Sequence, residues 1–387
     1  MTHPQTSPPH SSVPRSLLVV LNGYEFGNAA YFEAKGFHDT GLQLVRAALE
    51  KGYTVFVAYA AAEPGAEATF VQAVGAPLRM QQVLALVLKP GASSFQLGPL
   101  QDRPLDPATI PAMLIRQDPP SNDQRYLDVL RHAQWFEQRG GIASNSSRAL
   151  AEIHEKRSVY DPAFQRRYPD LIAPVIETGD PAAILQFWRK SPSGTVLKPT
   201  DGFGGIGVTL LKANVSETTA VGRICAYLAE YAAAPGETIF AQECIPDVEV
   251  NGDVRLLVAL HPDGTVTAGA ARRVNNTGDI VANMAAGGKA MPTDTLPRPM
   301  AEALTRDTQR ILAVLRDEYF TRYPDLSLVG VDLLYDPRDG AWKIGEMNVT
   351  APTVAYEIRE FTGIDVAAAA IDAAFGRVDR LRLRSDA

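Results

Sequence analysis

Two cysteines, Cys225 and Cys244, are all that this 387-residue chain carries. That is too few for a disulfide framework or a thiolate zinc site. Cys225 falls in a helical run and Cys244 in a strand-like one, so buried packing is the expected role of both. The six histidines are scattered, with no pair at metal-ligand spacing. No run approaches the roughly 18 consecutive apolar residues that a spanning helix needs. Positive charge is not in excess: the net charge of −7 argues against nucleic acid or an anionic membrane as partner. A local basic pocket stays open. Met1 to Arg15 is rich in Pro, Ser, Thr and His and lacks an apolar core, so it reads as a disordered tail and not a signal peptide. Cytoplasmic is the default expectation.

What is present is ordinary for a soluble globular protein: 46% apolar and 21% charged residues. The length suggests about two or three domains with ample core. Ser16 to Leu21, the helical period Thr40 to Lys51 and Thr54 to Tyr59 read as strand, helix, strand on a parallel sheet, with a turn at Asn22-Gly23. A helix is expected near Met80 to Leu88. Ala112 to Ile115 is a short strand, and polar residues from Arg116 to Pro120 follow its carboxyl end. That position either lines a ligand crevice or is a turn stiffened by two prolines. Helices are expected over Tyr126 to Arg139, Ser147 to Lys156 (capped by Ser146 or Ser147), Asp180 to Arg189, Glu217 to Ala232, Met300 to Tyr319 and Val366 to Val378. Strands are expected over Thr238 to Gln242, Asp253 to Leu260, Thr265 to Ala271, Leu328 to Tyr335 and Ala341 to Asn348.

Within Thr195 to Leu211, four glycines (Gly202, Gly204, Gly205, Gly207) occupy six positions after Lys198. Gly202, Gly204 and Gly207 match G-x-G-x-x-G, a dinucleotide fingerprint only where a helix follows. Here the β-favouring run Val208 to Leu211 follows, so the unit reads as a hairpin. The Walker pattern is absent. Such a loop can lay backbone N–H groups over phosphates, or it is a glycine-rich turn without a ligand.

Glu346 and Asn348 stand two apart in a strand and share a face. If the last two strands form a hairpin, Asp332 joins them. Two carboxylates and an amide oxygen suit a hard cation such as Mg²⁺; the alternative is a solvated outer face. Lys156, Lys198 and Arg255 are candidate phosphate cations. Arg116, Arg272 and Arg273 are candidates for gripping substrate carboxylates bidentately.

Several ordered motifs then resemble the bacterial glutathione synthetase family of ATP-grasp carboxylate–amine ligases. They are Arg116-Gln-Asp-Pro-Pro120, Leu197-Lys-Pro-Thr-Asp-Gly-Phe-Gly-Gly205, Ile245-Pro-Asp-Val-Glu-Val-Asn-Gly-Asp-Val-Arg255, Asn283-Met-Ala-Ala-Gly-Gly288, Val329-Gly-Val-Asp332 and Glu346-Met-Asn-Val-Thr350. The resemblance runs from about Ser16 to Phe375. It implies an α/β ATP-grasp fold. Residues 16–140 would be an N-terminal parallel-sheet substrate domain, 141–212 a small lid, and 213–387 a large subdomain with the metal site. It implies that Lys156, Lys198, Gly202, Phe203, Gly204, Gly205, the hinge Gln242, Glu243, Cys244 and Ile245, Asp253, Arg255 and Asn283 bind ATP. Asp332, Glu346 and Asn348 would bind Mg²⁺, with Mn²⁺ as a substitute. Arg116, Asp118, Arg273, Gly287, Gly288 and Thr350 would meet substrate, and Lys198, Arg255 and Arg273 would act in the reaction. That reaction is ADP-forming, with an acyl phosphate that an amine displaces. Small-molecule substrates and a homo-oligomer are implied as partners.

The sequence departs from the family in its mobile loop, Gly278-Asp279-Ile280-Val281-Ala282-Asn283-Met284, where Val281 and Ala282 stand in place of an arginine and a glycine. Ala351 replaces a serine, and Asn22 to Phe37 lacks the usual pattern. ATP and metal positions are kept while substrate positions change. The expected activity is therefore joining a glutamyl donor to a small or non-standard amino acid. Glutathione synthetase itself is the alternative, and a nucleotide-binding homologue without catalysis a remote one. Val281→Arg is expected to shift acceptor preference in an amino-acid competition assay; an unchanged profile would remove the loop from specificity.

Overall fold

Short apolar runs bounded by turn residues become three sheets among the residues described by the computed structural model, namely 15–21, 39–59, 73–87, 94–116, 124–201, 204–275 and 288–385. The tail through residue 14, the Asn22-Gly23 turn, the crevice Asn22 to Phe37 and the polar stretch 117–120 lie outside them. So do Asp118, Gly202, Phe203, Val281, Ala282, Asn283 and Gly287.

The first sheet comprises β1 (Ser16–Leu21), β2 (Thr54–Tyr59), β3 (Leu78–Val87), β4 (Ser94–Arg103), β5 (Ala112–Arg116) and β6 (Ile142–Ser144), in the order β4-β3-β2-β1-β5-β6. β1 is parallel to β2 and β5, and β5 to β6. β1 and β5 are buried along their whole length, as parallel strands covered on both faces are. Helix Thr40–Glu50 links β1 to β2 as expected, capped by the Asp39 carboxylate, which accepts from Gly41 N at 2.6 Å. The helix expected near Met80 to Leu88 is corrected to β3, which runs antiparallel to β2 and β4. Its alternation is legible only at Leu78 and Met80. Register irregularities between Gln81 and Ala85 then disturb the period of two, leaving an apolar run that mimics a helix face.

The second sheet is antiparallel: β7 (Val175–Thr178), β8 (Thr195–Pro199), β9 (Thr209–Leu211) and β10 (Ile239–Glu243), in the order β7-β10-β8-β9. Helices Pro181–Lys190 and Glu217–Tyr231 bury Ile184, Ala220 and Ile224 against Leu197, Leu211, Ile239 and Ala241. The segment expected to close at residue 212 thus shares its sheet and its core with residues up to Glu243.

The third sheet is β11 (Asp253–Leu260), β12 (Val266–Val274), β13 (Lys289–Met291), β14 (Leu328–Asp336) and β15 (Ala341–Asn348), antiparallel in the order β13-β12-β11-β14-β15. Successive β11 residues face opposite ways. Val254, Leu256 and Val258 join the cluster of helix Arg298–Leu315. Leu257 and Ala259 join that of helix Val366–Ser385. Asp253 and Arg255 continue this second face past the apolar cluster, and there a cleft opens. Helix Val366–Ser385 also packs on Thr40–Glu50, joining the first and third sheets.

One buried side chain fastens the segment after β6 to the ends of β14 and β15. Asn145 donates from Nδ2 to Leu328 O (2.8 Å) and Val349 O (2.6 Å). Its Oδ1 accepts from Ser327 N (2.6 Å) and Leu328 N (3.1 Å). Truncation strands these buried backbone groups. Asn145→Ala is therefore expected to lose about 2–4 kcal/mol in urea unfolding, and a loss of less than ~0.5 kcal/mol would show that water replaces the amide.

Candidate active site

The second and third sheets face each other across a cleft that both of them line. Its roof is the β8–β9 hairpin. Gly204, Gly205 and Gly207 take φ of 68°, 79° and 77°, the left-handed region that favours glycine. A Cβ on Gly207 would lie 2.6 Å from Pro199, so the backbone there packs as closely as it can. Lys198 stands at the base of this turn, opposite Phe240 on β10.

The floor is built by cross-strand register. Arg255 on β11 lies opposite Asp332 on β14, and Asp332 opposite Glu346 on β15. A bulge at the Asp332/Leu333 step follows, with Gly345 as the extra residue, and Asn348 lies on the same face as Glu346. Asp253 on β11 lies opposite Arg273 on β12. Two guanidiniums and two carboxylates then interlock. Arg255 grips Asp332 through Nε and through Nη2 at 3.0 Å. Arg273 grips Asp253 with two contacts of 2.6 Å and reaches Asp332 Oδ2 at 2.9 Å. Burial alone would raise the Asp332 pKa, but the two arginines outweigh it and hold it down at about 2. For Asp253 burial prevails over Arg273, and its pKa is raised. Arg273 is 1% exposed, and its Nη1 has no partner among the described residues.

Two lysines complete the charge. Lys156 Nζ lies 3.9 Å from Glu346. Lys198 Nζ donates to Gln242 Oε1 at 2.7 Å and to the Tyr160 hydroxyl at 2.8 Å. Burial lowers the Lys198 pKa to about 8, against the pull of Glu346 and Asp332. Gln242, Glu243, Cys244 and Ile245 line one end of the cleft. The Glu243 carboxylate is taken by Arg338 from the β14–β15 turn. Cys244 is 4% exposed, and burial followed by Glu249 pushes its thiol up to about 11, which keeps it unreactive.

Fourteen sequence-derived site residues therefore share one cleft: Lys156, Lys198, Gly204, Gly205, Gln242, Glu243, Cys244, Ile245, Asp253, Arg255, Arg273, Asp332, Glu346 and Asn348. Gly288 sits just before β13, whose Ala290 is paired with Arg273. Arg116 and Thr350 lie elsewhere, beside each other. Arg116 is buried and donates to Pro352 O at 2.9 Å, near Thr350 O at 3.5 Å. Arg272 alternates to the opposite face of β12 and donates to Asn251 O and Thr295 O, so it is no substrate grip here. The loop after Thr350 reaches Val354 at φ 77°, a conformation that costs a β-branched residue on the order of 1–3 kcal/mol. A backbone hydrogen bond from Ile358 N to Val354 O and one from Ala355 N to the Thr40 hydroxyl hold it in place.

Asp332, Glu346 and Asn348 give three oxygen donors on one wall, a set that fits a hard divalent cation. The Asn348 Nδ2 has no partner among the described residues, and no three carboxylate, histidine or cysteine side chains among them are placed together to hold a metal. Two residues of the site escape the sequence reading. Tyr160 stands one helical turn after Lys156, its N–H bonded to Lys156 O at 3.0 Å, and that i, i+4 spacing is the signal that could find it. Glu155 accepts from Thr350 Oγ1 at 2.6 Å and from Val349 N at 3.1 Å. Burial, then Glu346, raises its pKa to about 7.

The family model described as prokaryotic glutathione synthetase, ATP-grasp domain, matches residues 163–363. The glutathione synthetase of Neisseria meningitidis serogroup A is 31% identical over 262 residues, which is 68% of this chain and 71% of that protein. The glutathione synthetase of Bordetella parapertussis is 28% identical over 338 residues, 86% of this chain and 92% of that protein. Among solved structures, that of the D-cycloserine synthetase DcsG shares the fold at a TM-score of 0.57 and 16% identity, covering 95% of this chain and 99% of the other.

Lys198 is charged below about pH 8 and neutral above it. The affinity of the cleft for a polyphosphate such as ATP, measured by calorimetry, is expected to fall several-fold as pH rises through that value. A flat profile across it would mean that Lys198 does not hold the anion.

Proposed function

Because the chain belongs to the prokaryotic glutathione synthetase family of ATP-grasp ligases, we propose that it joins a carboxylate to an amine in an ADP-forming reaction, with a glutamyl donor and a small or non-standard amino acid as acceptor. ATP-grasp ligases use ATP and Mg²⁺, and an ATP-dependent ligase is what the family membership establishes. The observation that supports the finer reading is the single cleft in which Lys156, Lys198, Arg255 and Arg273 line the same space as Asp332, Glu346 and Asn348.

In this reading the glycine turn and the two lysines hold the triphosphate, and Gln242 to Ile245 meet the adenine. Asp332, Glu346 and Asn348 would hold Mg²⁺ (or Mn²⁺), which when bound neutralises phosphate charge. A donor carboxylate oxygen attacks the γ-phosphorus, ADP leaves, and an acyl phosphate forms. The acceptor nitrogen then attacks the acyl carbon, inorganic phosphate leaves with the carboxyl-derived oxygen, and the nitrogen releases a proton. Such chemistry asks for positioning and charge neutralisation rather than a protein nucleophile. The Arg273 Nη1, without a partner among the described residues, suits the negative charge that develops on the acyl group. By the family resemblance Arg116, Gly288 and Thr350, with Asp118 and Gly287, are assigned to the substrate and Asn283 to ATP; Asp118, Gly287 and Asn283 lie outside the described residues. The units we propose are a substrate domain over 16–140, a lid over 141–243 that includes β10, and a metal-bearing subdomain from 244 to 387.

The non-glutathione acceptor rests on Val281, Ala282 and Ala351, which alter substrate positions and leave the cleft residues unchanged. Glutathione synthesis is the second reading, favoured by the relatives at 31% and 28% identity. Phosphate release with ATP and Mg²⁺ across a panel of γ-glutamyl compounds and amino acids separates the two. Turnover with a pair other than γ-glutamylcysteine plus glycine is expected, and chelation of Mg²⁺ should abolish it. Turnover only with γ-glutamylcysteine plus glycine would overturn the first reading, and none with any pair would overturn both.

A further inference from the structure

Lys198 and the strand carrying Glu346 belong to different sheets, yet one buried hydroxyl touches both. Tyr160 ends the short helix Arg157–Tyr160 and is 3% exposed. Its ring packs edge-on against Phe240, with centroids 5.0 Å apart at 71°. Phe240 is the cross-strand partner of Lys198, and Lys198 Nζ lies 5.3 Å from the centroid of the Tyr160 ring. The hydroxyl oxygen accepts from Lys198 Nζ at 2.8 Å. Its proton goes to the carbonyl of Gly345, the bulge residue next to Glu346. Gln242 Oε1, the other acceptor of Lys198, lies 3.2 Å from the same hydroxyl.

We propose that Tyr160 is a positioning residue of the nucleotide cleft, holding Lys198 in place and tying it to the strand that presents Glu346 and Asn348. The proposal rests on the ATP reading of the cleft. Its physical content lies in the kind of acceptor used. A carboxylate in this position would orient the ammonium and also neutralise it. A phenol and a carboxamide orient it and leave its full charge for an arriving phosphate. A carbonyl at a bulge is also a sensitive anchor: the extra residue sets where the following side chain points, so holding Gly345 holds Glu346. Lys198 and Glu346 are thereby kept at a fixed separation across the cleft.

ATP binding in the presence of Mg²⁺, followed by calorimetry on the full-length chain, tests this. Four proteins are compared: wild type, Tyr160→Phe, Lys198→Met and the double variant. Phenylalanine keeps the ring against Phe240, and thermal unfolding checks that the variant folds. Tyr160→Phe is expected to weaken binding about tenfold, with Mg²⁺ half-saturation rising alongside. In the Lys198→Met background the same change is expected to cost almost nothing, because the group it positions is gone. A purely structural role would give the same loss in both backgrounds, and that result would overturn the proposal. Wild-type affinity in Tyr160→Phe would overturn it too, leaving the ATP reading intact. Absence of ATP binding by the wild type would overturn both.

Discussion

Two buried arginines and the carboxylates of Asp253 and Asp332 carry the floor of the cleft. Arg255 and Arg273 are 3% and 1% exposed, and each is engaged by a carboxylate held in register one strand away. An ion taken out of water without a partner costs several kcal/mol. The arginines are therefore tolerable only because Asp253 and Asp332 sit where the β-ladder puts them. Asp332 is central, since it meets both guanidiniums and also stands opposite Glu346. Any cation held by Glu346 and Asn348 must share this carboxylate with two arginines. The site is thus a continuous charge lattice, in which changing one member alters the field at every other. A phosphate approaching Arg273 and a cation approaching Glu346 meet the same lattice from two sides.

The strongest sequence signals came from local pattern. The hairpin around the glycines and the β14–β15 hairpin follow from alternation and turn residues. The shared face of Asp332, Glu346 and Asn348 follows from the period of two. Helix starts at Asp180 and Ser146 were legible because a capping side chain is a local device. What could not be read depended on contacts between distant segments. β3 was mistaken for a helix because its bulges upset the period, and only pairing with β2 and β4 makes it a strand. Asn145 looks like any polar residue after a strand until the ends of β14 and β15, some two hundred positions later, place carbonyls around it. Arg116 and Arg272 look like Arg273 in the sequence. Only the fold shows that their guanidiniums meet backbone carbonyls, while Arg273 meets carboxylates.

The matched family region covers residues 163–363, which hold the second and third sheets and most of the cleft. The first sheet, with its antiparallel pair β3 and β4 at one edge, lies outside that region. Its attachment is nevertheless extensive: helix Val366–Ser385 packs on Thr40–Glu50, Arg46 pairs with Asp365 at 2.6 Å and Lys51 with Asp372 at 2.8 Å. The exposed pairs among these add little energy. The shared apolar cluster is what fixes the first sheet against the third.

β10 is the last strand of the second sheet in the chain but lies inside it, between β7 and β8. The chain enters this sheet before β7 and leaves it after β10 at neighbouring points, where Glu243 N donates to Pro174 O at 2.8 Å. The roof over the cleft is therefore a cassette whose two ends meet at one seam. Its further ties to the wall that carries Glu346 include the Glu243–Arg338 contact and the Tyr160 hydroxyl, which joins Lys198 to Gly345.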